Sequence, residues 1–104
     1  MKRHQNTLYV TTQGAYLAAE GETVVVRVEQ ENRLQVPVHM LEGIVCFGRV
    51  SCSPPLMGLC AERGVGISFL TENGRFLARV QGPTQERYDQ KWVNLPKIGM
   101  TEIG

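Results

Sequence analysis

The chain has 104 residues, of which 42% are hydrophobic and 20% charged, and its formal net charge is +1. This length predicts one domain with a core but excludes a core together with a deep cleft, because such a chain buries roughly two-thirds of its unfolded surface. The small net charge excludes a general attraction to nucleic acid or membrane, so any contact with DNA requires a local patch or a larger assembly.

The first third of the chain predicts strands separated by glycine turns. Residues 8–12 are rich in β-branched and aromatic side chains, which favours a strand. Gln13-Gly14 predicts a tight turn into a second strand over 15–18, and Gly21 lies in a turn that leads into a strand over 23–28. We therefore expect a meander of hairpins.

A fourth strand is predicted where Leu34, Val36 and Val38 alternate with other residues, which is the period of a strand with one dry face. Pro37 cannot donate a ladder hydrogen bond, so this strand is expected at an edge or with the proline on its unpaired side.

The middle of the chain predicts a buried strand followed by a helix. Residues 44–47 are apolar at every position, which is typical of a strand covered on both faces. Ser51 or Ser53 can cap the helix, and two prolines fit its first turn. An apolar stripe runs along the helix, in which Leu59 is predicted to face the sheet. The stripe comprises Leu56, Met57, Leu59 and Cys60.

Gly64 is placed to end this helix, and residues 65–70 predict a second buried strand. Asn73-Gly74 is a turn signal, and residues 75–80 return as the hairpin partner. Two buried strands joined through a helix imply a parallel crossover. The fold class is therefore predicted as α+β: a small β-rich domain of a hairpin meander and a strand–helix–strand–hairpin unit, with one packed helix.

Enzymatic motifs are weak, and we predict neither a catalytic nor a metal site. The histidines His4 and His39 are expected to be solvated or structural, and the carboxylates lie mostly in predicted turns. Ser51, Ser53 and Ser68 are interpreted as a turn residue, a cap and a strand residue rather than as parts of a triad. Gly64-Val65-Gly66 precedes a strand, so it lacks the helix end that binds phosphate.

Three cysteines are present, Cys46, Cys52 and Cys60, and no pair has metal-ligand spacing. We interpret them as small buried apolar side chains in a reducing cytoplasm, with a redox or zinc role as the alternative. The polar start of the chain and its short apolar runs predict a cytoplasmic protein without a signal peptide or membrane span.

Arginine is well suited to phosphate binding, and four arginines fall in the strand–helix–hairpin unit, with ordinary solvated surface as the alternative interpretation. They are Arg49, Arg63, Arg75 and Arg79.

Four segments carry a resemblance to a known family: NTLYV at 6–10, LEGIV at 41–45, CAERGV at 60–65 and FLTENGRF at 69–76. Together they resemble the amino-terminal β domain of the CRISPR-associated spacer-acquisition integrase, the "Cas one" protein, in its subtype I-C branch. The resemblance covers residues 6–83. The family's order of strands, helix and hairpin also matches the predicted one.

The resemblance implies a place in spacer acquisition, an antiviral defence. Full-length members are metal-dependent DNA endonuclease/integrases that work as dimers with the small "Cas two" protein. A glutamate, a histidine and an aspartate of a following helical domain bind the divalent metal, Mn or Mg. The β domain helps to pair protomers and lies along the captured duplex.

Residues 84–104 resemble nothing in that helical region, and no residue of this chain matches a family metal ligand. We therefore expect a divergent tail, partly ordered at best, with Trp92 docked on the body. We also expect an absent catalytic domain, no cofactor in this chain and no nuclease activity of its own. A truncated or frame-shifted gene and a foreign tail stay open as explanations.

The implied partners are a second copy of the chain, the "Cas two" protein and, weakly, duplex DNA, and no membrane. Arg49, Arg63 and Arg75 are the expected phosphate contacts. Phe69, Arg75, Phe76 and Leu77 are the expected dimer edge. The alternative is a standalone module for self-association or protein interaction without a DNA role.

Overall fold

The structure is a computed structural model and describes residues 6–82. His4, Trp92 and the predicted tail over 84–104 lie outside the described residues. Within residues 6–82 the chain forms eight strands, one α-helix and a short 3-10 helix over Val38–Met40. In chain order the main elements are β1 (Thr7–Val10), β2 (Ala15–Glu20), β3 (Thr23–Val28), β4 (Glu31–Pro37), β5 (Gly43–Phe47), β6 (Val50–Cys52), α1 (Pro54–Glu62), β7 (Gly66–Leu70) and β8 (Phe76–Val80).

These strands form two four-stranded sheets around one apolar core. Sheet 1 has the order β1-β5-β7-β8, and sheet 2 has the order β4-β3-β2-β6. The core is built from side chains of both sheets together with Leu56 and Cys60 of α1. The predicted α+β class, β-rich with one packed helix, is confirmed.

The predicted hairpin between the first two strands is wrong. β1 pairs in parallel with β5, whereas β2 pairs antiparallel with β3 and parallel with β6. The turn at Gly14, whose φ is +90°, carries the chain from sheet 1 to sheet 2 instead of folding it back. The meander is therefore limited to β2, β3 and β4.

One strand was not predicted. Ser51 lies in β6 rather than in a turn, where it is the register partner of Tyr16 on β2. β6 has only three residues, too few to show a period in the sequence. It lets the chain add to sheet 2 before the helix begins.

The crossover from β5 through α1 to β7 is confirmed, because β5 and β7 pair in parallel. Ser53, not Ser51, caps the helix: its hydroxyl accepts a 3.2 Å hydrogen bond from the Leu56 N–H. Gly64 follows the helix with a φ of +76°, as the sequence predicts.

Burial corrects three expectations about faces. Leu56 and Cys60 are fully buried, whereas Leu59 is only half-buried. The buried face of α1 is therefore formed by Leu56 and Cys60 and not by Leu59, which the sequence predicted to face the sheet. β5 is not fully covered: Ile44 and Cys46 are buried but alternate with half-buried neighbours. The dry face of β4 is incomplete, because Leu34 is 44% exposed at the edge of sheet 2.

Candidate nucleic-acid and protomer interface

Three loops meet at one end of the domain. β1, β5 and β7 run parallel in sheet 1, so their carboxyl ends reach the same edge. The segments that follow these strands, residues 11–14, 48–49 and 71–75, are called here the carboxyl-end loops. Two of the three arginines proposed from sequence as phosphate contacts, Arg49 and Arg75, lie in them.

The side chain of Gln13 ties two of these loops together. Its Nε2 donates to the carbonyl oxygens of Thr11 at 3.0 Å and Phe47 at 2.8 Å, and its Oε1 accepts from the Arg49 backbone N–H at 2.6 Å. The Gly14 N–H donates in turn to the Arg49 carbonyl at 2.7 Å. The backbone beside Arg49 is therefore fixed by contacts from a segment more than thirty residues away.

The third carboxyl-end loop, residues 71–75, lies against Gly48 in the second loop. The Gly48 N–H donates to the Leu70 carbonyl at 2.8 Å, and a Cβ at Gly48 would lie 2.6 Å from Cγ of Glu72. Thr71 and Arg75 hold each other across the loop: Thr71 N–H donates to the Arg75 carbonyl at 2.8 Å, and Arg75 N–H donates to Thr71 Oγ1 at 2.9 Å. The loop that presents Arg75 is thus internally bonded.

Arg49 and Arg75 are exposed, and neither guanidinium forms an ion pair within residues 6–82. Exposed guanidinium groups on fixed backbone can meet phosphate oxygens without first giving up a partner. This arrangement makes the carboxyl-end loops the best candidate for an anionic ligand in the described domain.

Arg63 lies elsewhere and is already engaged. It follows α1, at the amino end of β7, and its Nε and Nη2 donate to the two carboxylate oxygens of Glu22 at 3.0 and 2.7 Å. The hydrogen bond from Arg63 lowers the pKa of Glu22, and the same bond raises the pKa of Arg63. The pair ties the helix end to the β2–β3 turn, so the structure does not bring Arg63 together with Arg49 and Arg75.

Arg79 is also bonded within the domain. Its Nη1 donates to Ser68 Oγ at 2.9 Å and its Nε to Gln81 Oε1 at 2.6 Å. Its guanidinium lies over Gly66, where a Cβ would meet Nη2. Arg79 therefore braces the face of sheet 1.

A hollow of about 420 Å³ opens on sheet 2 near Tyr16 and Arg27. The Arg27 guanidinium donates to Asn32 Oδ1 at 2.9 Å and to Glu20 Oε2 at 2.7 Å, so its charge is paired. Glu29 and Gln30 line the hollow from a turn with φ of 53° and 67°. The hydrogen bonds of Arg27 thus stay within the β2–β3–β4 meander, and we assign no ligand to this hollow.

Among the residues expected at a dimer edge, three belong to the β8 strand or the loop before it. β8 is an edge of sheet 1, Arg75 precedes it, and Phe76 and Leu77 are 59% and 60% exposed. Phe69 differs, because it lies on β7, one strand inward, and packs against the core. A register shift between Phe69 and Leu70 distorts the β7–β8 ladder at this place.

Sequence reasoning missed Gln13, which is the residue that organises the candidate site. The only local signal is a glutamine before a turn glycine, which predicts a turn but not a long-range contact. Within the described residues, no group of three or more His, Cys, Asp and Glu side chains could hold a metal ion. None of the helices in this part of the chain is both long and apolar enough to cross a membrane.

Comparison with known proteins identifies the family. The model for "CRISPR associated protein Cas1" matches residues 8–93. The chain belongs to the Cas1 family. This match continues ten residues past Pro83, beyond the boundary placed there from the sequence.

Curated members of the Cas1 family are similar over the same part. The chain is 58% identical over 85 residues to CRISPR-associated endonuclease Cas1 1 of Chlorobaculum tepidum, covering 82% of this chain and 25% of that protein. It is 46% identical over 83 residues to Cas1 2 of Rhodospirillum rubrum, covering 80% of this chain and 24% of that protein. The chain therefore spans about a quarter of the length of the curated relatives it matches.

Solved Cas1 structures share the fold. A Cas1 protein from Thermotoga maritima superposes with a TM-score of 0.65 at 18% identity, covering 74% of this chain and 25% of that one. The TtCas1–DNA complex gives a TM-score of 0.62 at 19% identity, covering 74% and 26%. The Cas6-RT-Cas1–Cas2 complex gives 0.73 at 14% identity, covering 86% and 10%.

Proposed function

We propose that this chain is the β domain of a spacer-acquisition integrase, and that it pairs protomers and supports the captured DNA duplex. Membership of the Cas1 family over residues 8–93 carries this proposal. The relatives are named endonucleases, but the chain matches only about a quarter of their length. We therefore assign endonuclease and integrase chemistry, with its divalent Mn or Mg, to the helical domain of full-length members.

The proposed DNA contact is made by the carboxyl-end loops. Exposed Arg49 and Arg75 meet phosphate oxygens there, whereas Arg63 would have to leave Glu22 to do so. With a net charge of +1 over the chain, binding is weak and depends strongly on salt. A solved neighbour is a complex of a Cas1 protein with DNA, which supports DNA as the ligand class.

The test is fluorescence anisotropy with a labelled duplex over a range of salt concentrations. Each phosphate contact contributes about −0.9 to the slope of log K against log salt, so Arg49→Ala with Arg75→Ala should reduce the slope by about 2. Arg33→Ala is the matched control, since it removes an exposed guanidinium of β4 on sheet 2. Equal losses in the control and the double variant, or no binding at low salt, contradict the DNA proposal.

The proposed protomer contact is the β8 edge, where Phe76 and Leu77 are exposed. Light scattering across micromolar concentrations should show a dimer. Leu77→Lys should shift it toward monomer, while Leu34→Lys, an equivalent change at the edge of sheet 2, should not. A strict monomer at all concentrations, or equal sensitivity to both changes, argues against pairing at β8.

The further partner we propose is the small "Cas two" protein, in the cytoplasm. Its support is a solved neighbour that is a Cas6-RT-Cas1–Cas2 complex. A pull-down with the purified Cas2 protein of the same host tests this directly, and the variants Leu77→Lys and Leu34→Lys distinguish binding at the β8 edge from binding at the β4 edge.

The second candidate function is a standalone interaction module without a DNA role. The observation that favours it is exposed apolar side chains at two sheet edges, Leu34 on β4 and Leu77 on β8. A dimer that forms normally but shows no salt-dependent DNA binding would select this alternative.

A further inference from the structure

Arg49 lies at the tip of a three-residue turn between β5 and β6. The Val50 N–H donates to the Gly48 carbonyl at 2.9 Å, which closes the turn with Arg49 at its centre. Gly48 enters this turn with a φ of +76°, which is readily adopted only by glycine. So tight a turn provides no partner for the N–H and the carbonyl of its central residue, so these two groups must bond elsewhere in the chain or to water.

Residues 13 and 14 supply both partners. The Arg49 N–H donates to Gln13 Oε1 at 2.6 Å, and the Arg49 carbonyl accepts from the Gly14 N–H at 2.7 Å. Both backbone groups of Arg49 are thus bonded to one dipeptide, in the segment that follows β1. The Arg49 side chain is exposed. The backbone that carries this guanidinium is therefore held on both sides, while the guanidinium itself faces solvent.

The primary amide of Gln13 is the group that this position requires. Its Nε2 donates to the carbonyl oxygens of Thr11 at 3.0 Å and Phe47 at 2.8 Å, while its Oε1 accepts from Arg49. The reverse amide orientation would place Oε1 against two carbonyl oxygens and Nε2 against an N–H, so the three partners determine the orientation. A carboxylate here could accept but not donate, and an apolar side chain could do neither.

We propose that Gln13 is a positioning residue for DNA, which holds the turn around Arg49 so that the guanidinium meets a phosphate from a fixed backbone. This role rests on the proposed DNA contact of the carboxyl-end loops. Gln13 does not touch the ligand and acts through Arg49. Arg75 belongs to a separate loop, where its own N–H donates to Thr71 Oγ1 at 2.9 Å. The phosphate contact of Arg75 should therefore not depend on Gln13.

Amide hydrogen exchange, followed by NMR without DNA, tests the contact itself. Gln13→Leu keeps a side chain of similar size and removes its hydrogen-bonding groups. The Arg49 amide should lose its protection in this variant, because its acceptor is gone. The Val65 amide donates to the Cys60 carbonyl at the other end of β7 and should keep its protection. Unchanged protection of the Arg49 amide overturns the proposal. Gln13→Ala is measured in parallel, with circular dichroism to confirm that the variant used is folded.

Fluorescence anisotropy with a labelled duplex measures the consequence for binding. Gln13→Leu should weaken DNA binding by roughly 2- to 10-fold, the net contribution of about one hydrogen bond. The same substitution should have no effect in an Arg49→Ala background and its full effect in an Arg75→Ala background. A merely structural role would weaken binding equally in both backgrounds. Gln35→Leu is the matched control: this glutamine of β4 donates to Thr23 Oγ1 on sheet 2, and its loss should leave binding unchanged.

Failure of this role and failure of the proposed DNA contact give different results. If the parent protein does not bind, or if Arg49→Ala binds as tightly as the parent, the DNA contact fails and the positioning role fails with it. If Arg49→Ala weakens binding but Gln13→Leu does not, only the positioning role is overturned. The same holds if Gln13→Leu weakens binding to the same extent in the Arg49→Ala background as in the parent.

Discussion

Leu56→Ala is expected to lower the free energy of unfolding by about 2–5 kcal/mol, because it opens a cavity where α1 packs against β2 and β7. Leu56 is fully buried and lies in the same core cluster as Leu17 and Ile67. Against a total stability of about 5–15 kcal/mol, such a loss is a large fraction.

Leu59→Ala is the matched control, since it makes the same chemical change three residues along the same helix. Leu59 is half-buried and packs against the core from its margin, so the loss should stay below the roughly 2–5 kcal/mol that truncating a fully buried leucine costs.

Urea unfolding followed by circular dichroism measures both variants. With a slope of about 1–3 kcal/mol per molar urea, Leu56→Ala should move the midpoint by roughly 1 M or more. An equal or larger shift for Leu59→Ala would refute the assignment of the buried face. A change under about 0.5 kcal/mol for Leu56→Ala would refute the packing of the helix itself.

Two further predictions use the same assay. Gly48→Ala should destabilise the domain by more than about 1 kcal/mol, because Gly48 has a φ of +76° and a Cβ there would lie 2.8 Å from Gln13 Nε2. Gly14→Ala, at a φ of +90° but with no atom within 4 Å of the Cβ, measures the cost of the backbone conformation alone. Equal losses of stability in Gly48→Ala and Gly14→Ala would contradict the contact between residue 48 and Gln13. Glu22→Gln should destabilise at neutral pH, where Arg63 holds the carboxylate. Because that bond lowers the folded pKa, its contribution is present above the unfolded pKa, about 4.3, and disappears as the pH falls through the folded value. A difference between Glu22→Gln and the parent protein that is constant down to low pH would exclude this linkage.

Local signals predicted the elements whose ends are set by local chemistry. Ser53 and the two prolines after it fix the start of α1, and Gly64 fixes the chain just past its end. The Gly21 turn likewise joins β2 to β3 with Glu20 opposite Thr23. In each case a residue at the boundary of the element either caps a free backbone N–H, as Ser53 does, or adopts the positive φ that the turn requires, as Gly64 and Gly21 do.

Partner choice between strands could not be predicted in the same way. Gly14 predicts a turn, but whether the next strand returns to its predecessor or joins another sheet depends on contacts far along the chain. β1 pairs with β5, more than thirty residues away, because that pairing places Leu8 and Val10 beside Ile44 and Cys46. A glycine signal contains no information about that partner.

Part of the candidate site could be predicted from the sequence, and part of it could not. A parallel crossover implies that the loops after β5 and β7 share an edge, which brings Arg49 and Arg75 to one end. That Arg63 is paired with Glu22, 41 positions away, depends on the geometry of the β2–β3 turn and the end of α1. No spacing in the sequence marks that contact.

The two longer open edges differ in how well they resist pairing. β4 has exposed charges at Glu31 and Arg33 and ends in Pro37, all features that discourage another strand from adding. β8 instead exposes the successive apolar residues Phe76 and Leu77, and the irregular register beside them discourages pairing. A partner strand would bury more apolar area and displace fewer charges at β8 than at β4. If protomers pair through a sheet edge, the physical balance therefore favours β8, next to the loop that presents Arg75.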